Sequence, residues 1–479
     1  MSTLHKPNIL IFMSDDQGPW AMNCAGTPEL RTPNLNRLAE EGIRFENFFC
    51  ASPVCSPARA SFLTGRIPSQ HGVHDWICHG NIVDPENRTG GGPDTRIEYL
   101  EGLTAFTDVL AGNGYSCGLS GKWHLGASDV PQKSHEFWCV HSRGGDNYTN
   151  YWVYDNSTEV VNKTQYVTDF FTDRAIDYLD SRKGNAQPFC LSVHYTAPHA
   201  PWKQEEQPAD IWDSYADTEF SLPVEPPHPW RGWDPTPEAR HRTIQGYYTT
   251  ITAMDRAIGR VLDKLDALGM AEDTIVIFTS DNGYSVGHHG ILHKGNGTFP
   301  LNLLEASVKV PFIARFPGHF EAGTVNSDLV SHYDFMPTLL DYLGFENPEA
   351  DKLPGRSFAK VLRGEALNWE DEGIVICDEY GPNRMFRTKE WKYNHRYPDG
   401  PHELYHLAED PKERVNLLDD PAHADVQDAM CSRLDQWFEK YVTPERDGAA
   451  LYACKGRGQR DLVGKGASGV TVFEPRDDV

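Results

Sequence analysis

Apolar runs of strand length alternate along this chain with stretches of helical period, the pattern of a mostly parallel sheet flanked by helices. Asn8 to Met13 reads as the first buried strand. Thr32-Pro33 opens a short helix that Gly42 closes, by capping and glycine-stop logic. Residues 103–111 predict a helix punctuated by Gly112 and Gly114, with a strand from Tyr115 to Ser120 after it. A helix over Thr168–Leu179 leads to a strand at Phe189–His194, and a long helix over Thr243–Leu268 leads to Thr274–Ser280 (TIVIFTS), the clearest buried strand of all. Val310–Phe316 predicts another, and the Pro-rich stretch 207–237 reads as a loop. A boundary falls near 350–373, dividing the chain into a large α/β unit (1–370) and a smaller α+β unit (371–479). In the second unit IVICDEY, RMFRTKEWKYNHRY and ELYHL predict an antiparallel sheet with a helix at 422–441 packed on it. The Gly- and Lys/Arg-bearing tail from 455 reads as an arm or as a loop over another surface.

Composition narrows the function classes. With 479 residues, 39% of them hydrophobic and 11% aromatic, the chain can bury a sizeable core and is not a disordered polymer. A net charge of −25 argues against general binding of nucleic acid or anionic membrane, and requires a local cluster of cations if the ligand is an anion. No apolar run reaches the roughly 18 residues of a membrane span. Asn8–Met13 is too short for a signal h-region, so the chain as it stands reads as cytoplasmic, or as periplasmic or secreted if a leader precedes it. The ten cysteines include no Cys-x-x-Cys pair, which argues against a thiolate zinc site; Cys117, Cys190 and Cys377 lie in apolar runs as buried thiols. The sequons at Asn147 and Asn156 carry little meaning without secretion. Oligomeric state is left open.

Four predicted strands end in chemically active residues. The first runs into Asp15-Asp16, the strand at 115–120 into Gly121-Lys122-Trp123-His124, the strand at 189–194 into Ala197-Pro198-His199-Ala200-Pro201, and TIVIFTS into Asp281-Asn282-Gly283. Ligands of open α/β sheets bind at the carboxyl ends of strands, so these clusters are candidates for one crevice. Asp15, Asp16, Asp281 and Asn282 offer hard oxygen ligands suited to calcium or magnesium. Taken singly, each pair also reads as a turn or helix cap, and joint placement leaves both readings open.

Cys55-Ser56-Pro57-Ala58-Arg59 predicts a helix start with Ser56 as N-cap and Pro57 at the first helical position. That puts Cys55 at a helix N-terminus, where anions are favoured, with Arg59 one turn on. The residues alone allow an activated cysteine beside an anion site. They equally allow a capped helix with a buried thiol.

Cys55-x-Pro-x-Arg59-x-x-x-Leu-Thr-Gly65 resembles the signature of the formylglycine-dependent sulfatases of the alkaline phosphatase superfamily, at every fixed position. The resemblance extends through Asp15-Asp16, Gly-Lys122-Trp-His124-Leu-Gly, Ala-Pro-His199-Ala-Pro, Ser-Asp281-Asn282-Gly, His-Lys294-Gly, Glu305-Ala-Ser-Val-Lys-Val-Pro311 and Glu403-Leu-Tyr405. It implies a sulfuric ester hydrolase with a catalytic domain in 1–370 and a C-terminal subdomain in 371–479. It implies that a maturation enzyme oxidises Cys55 to Cα-formylglycine, whose hydrate attacks sulfur through one hydroxyl and expels sulfate through the other. Asp15, Asp16, Asp281 and Asn282, with modified Cys55, would hold calcium, magnesium being the alternative. Arg59 would steady the charge there, Lys122 and Lys294 would meet sulfate oxygens, His124 would accept a proton from the second hydroxyl, and His199 would protonate the leaving oxygen. His194, His293 and His288-His289 read either as supporting partners or as core, capping or loop histidines.

The implied substrate is a sulfated carbohydrate. His74, Asp75 and Trp76 follow the signature closely and are candidate sugar contacts, as are Trp202 beside the His199 motif and Arg384, Arg387, His395 and Arg396 in the second unit; ordinary packing is the competing reading of each. The acidic surface favours a short oligosaccharide or a terminal sugar over a long sulfated polymer. A phosphonate or phosphate monoester hydrolase, or a sulfated-sugar binder without catalysis, is the alternative.

Overall fold

A computed structural model describes residues 6–78, 80, 97–162, 164–230, 236–369, 373–378, 382–451, 458–464 and 472–473. Its first strands are β1 (Asn8–Ser14), β2 (Ile43–Phe49), β3 (Ser116–Gly121), β4 (His135–His141), β5 (Tyr151–Asp155), β6 (Thr158–Asn162), β7 (Phe189–His194) and β8 (Thr274–Ser280). A small ribbon follows, β9 (Ser285–Val286) with β10 (Leu292–His293), then β11 (Lys309–Arg315), β12 (Thr324–Asn326) and β13 (Val330–Ser331). The large sheet has the order β12-β2-β11-β8-β1-β7-β3-β4-β5-β6, with β13 also on β2.

The five strands β8-β1-β7-β3-β4 are all parallel. β1 and β8 read as unbroken apolar runs because helices cover both faces of such strands. Side chains alternate across the sheet. Ile9, Ile11, Met13, Ile275 and Ile277 pack with Phe62, Phe106, Phe335 and Leu339 on one face. Leu10, Phe12, Val276 and Phe278 pack with Phe171, Met254, Ile258 and Leu262 of the helices Val167–Ser181 and Pro237–Ala267 on the other.

The sheet is mostly parallel as expected, β12 and β13 also pairing parallel with β2, and antiparallel pairs enter beside this centre. β11 runs antiparallel to both β8 and β2, and β5 and β6 add an antiparallel hairpin at the far edge. That hairpin closes through Asn156 and Ser157, both at positive φ (47° and 67°), the conformation a tight two-residue turn requires. β2 was not anticipated, since its sequence IRFENFF interleaves charge with aromatics, and neither were β4 to β6. The helix expected to start at Pro57 spans Cys55–Thr64 with Val54 as N-cap; Ser56 Oγ instead accepts the Ile77 amide (3.1 Å).

The second sheet, β14 (Ile374–Asp378), β15 (Asn383–Arg387), β16 (Trp391–Arg396) and β17 (Glu403–His406), is antiparallel in chain order, with the helix Ala424–Tyr441 on it. Glu379 and Tyr380 of the expected first strand lie outside the described residues, as do 455–457, 465–471 and 474–479 of the tail. Val375, Phe386, Tyr393 and Leu404 bury against Met430, Leu434 and Phe438, and Ala51, Ile67 and Tyr333 of the first unit join the same cluster.

A buried ionic bolt also ties the sheets together. Glu305, just before β11, meets Arg387 of β15 (3.2 Å) and Lys392 of β16 (3.3 Å). The fully buried Lys392 also reaches Glu413 (2.6 Å), which accepts the Glu305 amide (2.8 Å). Burial pushes the Glu305 carboxyl up, but Lys392, Arg387 and Lys309 outweigh it and hold it below the ordinary glutamate range.

Removing one member of such a network leaves an uncompensated buried charge. Lys392→Ala is expected to cost about 3–5 kcal/mol in urea unfolding; a loss under about 1 kcal/mol refutes the bolt. A depressed carboxyl contributes stability above its unfolded pKa and loses it as the pH falls toward the folded value. Stability of the native chain should therefore drop more steeply below pH 4.5, the ordinary glutamate value, than that of Glu305→Gln, measured as unfolding midpoints across pH.

Candidate active site

The carboxyl ends of β1, β3, β7 and β8 lie side by side and deliver their polar residues to one crevice. Backbone bonds lace the tips together: the Asp281 amide donates to Ser14 (3.1 Å), the Asp15 amide to Ala197 (3.0 Å) and the Lys122 amide to His194 (2.8 Å). Gly121 permits that last approach, because a Cβ there would fall 1.9 Å from the His194 oxygen at a φ of +125°. Asp16 sits at φ 64°, which turns its carboxylate back toward Asp281, and its amide donates to Asp281 Oδ1 (3.1 Å).

The N-terminus of the helix Cys55–Thr64 points its first residue into this crevice. The Cys55 thiol lies 3.5 Å from Asp15 Oδ1 and accepts from Lys294 Nζ at 2.7 Å. Burial, then the Asp15 charge, pushes the thiol up to about 12. Lys294, delivered by the ribbon β9–β10, also donates to Asp16 Oδ1 (2.5 Å), and Lys122 Nζ is paired with Asp15 Oδ2. Arg59 lies behind the carboxylates, donating from Nε (3.0 Å) and Nη2 (2.8 Å) to Asp281 Oδ2. Three carboxylates thus face three fixed cations, all buried. Burial raises the Asp15 and Asp16 carboxyls, yet Lys122, His199 and Arg59 around the first and Lys294 and His199 around the second leave both below the ordinary range.

Carboxylate oxygens of Asp15, Asp16 and Asp281 fall within 4.8 Å of one another. Asn282 donates through Nδ2 to Asp16 (2.8 Å) and to Gly283 (2.9 Å), which leaves its buried Oδ1 without a hydrogen-bond partner. Three anionic oxygens and one orphaned amide oxygen, with no thiolate needed, fit a hard divalent cation.

His199 stands at the rim, about a third exposed, with Nδ1 on the Ala200 carbonyl (2.5 Å) and Nε2 3.6 Å from Asp16 Oδ2. A ring nitrogen, Cys55 Sγ and an Asp15 oxygen lie within 4.8 Å of one another. His124 is buried; its Nε2 meets the Ile77 carbonyl (3.0 Å) and its Nδ1 has no hydrogen-bond partner. Burial, then Lys122, holds that ring well below the usual histidine range, and thus neutral.

Several supporting residues carry no sequence signal. Tyr247, on the long helix, donates to the Asp16 carbonyl (2.9 Å) and accepts the Gly18 amide (3.1 Å). His332 reaches the Ser280 carbonyl (3.1 Å), and His141 reaches Thr196 (2.7 Å). His194 proves to be a supporting partner, its Nδ1 near the Lys122 carbonyl (3.2 Å) and Arg59 (3.5 Å). His293 stacks on Tyr284, and His288 lies tilted against Trp20.

The expected sugar contacts fare differently. Arg384 pairs with Asp447 over the Phe438 ring, and Arg387 is committed to Glu305 and the Thr388 carbonyl, so both guanidinium groups serve packing within and onto the second sheet. Arg396 bonds Glu403 and Leu301, and His395 meets Tyr393. Trp202 donates to Pro198 (2.7 Å) and packs on Tyr247 and Tyr284, buttressing the His199 turn from behind. His74 and Asp75 are buried; of that trio Trp76 alone keeps an open face, 37% exposed.

Residues 7–345 match the family described as Sulfatase, and residues 296–440 match N-sulphoglucosamine sulphohydrolase, C-terminal. The chain is 27% identical to the N-acetylglucosamine-6-O-sulfatase of Bacteroides thetaiotaomicron, over 94% of this chain and 89% of that protein. It is 30% identical to an uncharacterized sulfatase of Escherichia coli, over 92% of this chain and 89% of the relative. A solved structure of a protein with its substrate D-glucosamine-2-N,6-O-disulfate shares the fold at a TM-score of 0.75 and 24% identity, covering 92% of this chain and 99% of the other.

The oxygen cluster has a direct test. Calcium or magnesium added to chelator-treated protein is expected to raise the melting temperature, by about 2.7 kcal/mol of stability at a hundredfold excess over Kd. Asn282→Leu should remove most of that gain. Failure of both ions to shift the melting curve would show that the oxygens hold no such cation.

Proposed function

The chain belongs to the sulfatase family, and on that premise we propose that it removes sulfate from a sulfated carbohydrate, taken as a short oligosaccharide or a terminal sugar. The observation that carries this reading is residue 55, at a helix N-terminus, bracketed by Lys294 and by the Lys122–Asp15 pair. A thiol with a pKa of about 12 is a poor nucleophile near neutrality, since the thiolate is the reactive form. A divalent cation, proposed to be calcium, and oxidation of Cys55 to formylglycine would supply a fixed positive charge and an oxygen nucleophile at this point.

The remaining work falls to side chains already in place. Asp15, Asp16, Asp281 and Asn282 would hold the cation, and Arg59 fixes Asp281 in orientation. Lys294 and Lys122 are preorganised donors for sulfate oxygens, and fixed charges act strongly in a buried site. His199 keeps the Nδ1 proton on Ala200 and turns Nε2 to the centre, so a proton on Nε2 can pass to the leaving sugar oxygen at the open rim. His124 is neutral, and its Nδ1 can accept the proton released when sulfate is expelled. The three cations cancel the three carboxylates, so a bound divalent cation would leave the pocket positive within a chain that is acidic overall, which favours a small ligand entering the pocket over a polymer lying on the surface.

Relatives named for N-acetylglucosamine 6-O-sulfate make 6-sulfated amino sugars the first substrates to try. Protein co-expressed with a formylglycine-generating enzyme should release sulfate from at least one sulfated mono- or disaccharide. Faster cleavage of a matched aryl phosphonate than of any sulfate ester would overturn the assignment. Cys55→Ala should fold normally and lose turnover by at least about a thousandfold; retained activity would remove residue 55 from the chemistry. His199→Ala should cost about 10²–10⁴ on a sugar sulfate and far less on 4-nitrophenyl sulfate, whose leaving group needs no proton. Equal losses on both would argue that His199 is not the acid.

A further inference from the structure

A heavily bonded side chain near the site comes from the far end of the sequence. Gln459 is fully buried, and its carboxamide makes four hydrogen bonds. Oε1 accepts the amides of His74 (2.6 Å) and Asp75 (3.2 Å); Nε2 donates to the carbonyls of Gly72 (2.7 Å) and Asp461 (2.7 Å). Its backbone continues the clamp as a parallel bridge to Ile77, with the Gln459 amide on Trp76 (2.8 Å) and the Cys78 amide on the Gln459 carbonyl (3.1 Å). At Gly458 the φ is +110° and an added Cβ would fall 2.9 Å from the Trp76 ring, so this strap lies directly against the loop.

The loop so clamped holds two parts of the chemistry. The Ile77 amide donates to Ser56 Oγ (3.1 Å), the residue after Cys55, and the Ile77 carbonyl accepts from His124 Nε2 (3.0 Å). One residue, through the two peptide groups that flank it, therefore fixes the start of the nucleophile helix on one side and the histidine ring on the other. It also fixes the tautomer: with the ring neutral and its proton on Nε2, the lone pair lies on Nδ1.

We infer that Gln459 is a positioning residue of the active site, acting through the 72–78 loop to hold Ser56 and the His124 ring in their working orientation. The inference rests on the sulfatase reading. It adds a dependence of turnover on a residue outside every motif of the active centre. No new group touches substrate. The carboxamide pins the loop amides, the loop pins the Ile77 peptide, and the peptide sets where His124 presents Nδ1.

The test compares Gln459→Ala and the near-isosteric Gln459→Met with Arg446→Met. Arg446 anchors the same C-terminal stretch to the Gln70 carbonyl (2.6 Å) without a bond to the Ile77 peptide. With 4-nitrophenyl sulfate as probe, both Gln459 variants should lose about tenfold or more in kcat with KM within about threefold, while Arg446→Met keeps kcat within about twofold at a comparable loss of melting temperature. In ¹⁵N-histidine spectra, the His124 ring should show a single Nε2-protonated form in the native protein and a mixture in the Gln459 variants. The inference is overturned if the Gln459 variants keep native kcat, if all three variants lose activity in proportion to melting temperature, or if neither Gln459 variant folds where Arg446→Met does. A native protein inactive on every sulfate ester would instead overturn the sulfatase reading and take this inference with it.

Discussion

Three carboxylates and three cations buried together at the tips of parallel strands form the constraint on which this structure depends. An isolated charge taken out of water is costly, and removal of one partner leaves the other uncompensated. Asp15 needs Lys122, Asp16 needs Lys294 and Asp281 needs Arg59, and each cation arrives on a different element. The cluster can form only when the strand tips, the helix Cys55–Thr64 and the ribbon that delivers Lys294 are all in register. Fold and site are therefore one condition.

That balance also explains the division of labour. Arg59, with its planar fork, is spent on holding Asp281 and sits behind the carboxylates. The two lysines, compact and flexible, face residue 55 and can exchange a carboxylate for an anion. His199 stands at the rim, about a third exposed, and His124 is held deep and neutral. Within the crevice three cations match three carboxylates, so the chain's excess negative charge lies outside it.

The second unit contributes by bracing. Its sheet is bolted to the first through Glu305, Lys392 and Glu413, and its arginines, expected to reach a sugar, are consumed in that joint and in packing over aromatic rings. The strap around Gln459 packs on the loop beside the helix Cys55–Thr64, far from it in sequence, because contiguity in sequence says nothing of where a tail docks.

Read by itself, the sequence determined what is local or periodic. Near-continuous apolar runs identified β1 and β8 because strands buried on both faces have few polar positions to show. The antiparallel strands and helix of the second sheet were readable from length and turn residues, and the contiguous signature around Cys55 marked the residue that the helix N-terminus delivers to the crevice. Tertiary structure alone decided the rest. β2 alternates charge with aromatics and becomes a strand by pairing with β11 on one side and with β12 and β13 on the other. His141, His332, Tyr247 and Gln459 join the site through bonds to carbonyls and amides distant in sequence, and a backbone acceptor leaves no trace in side-chain spelling. Arg384 and Arg387 were spelled like ligand-binding residues and were turned elsewhere by Asp447 and Glu305, since a charged side chain goes to the partner that folding places within reach.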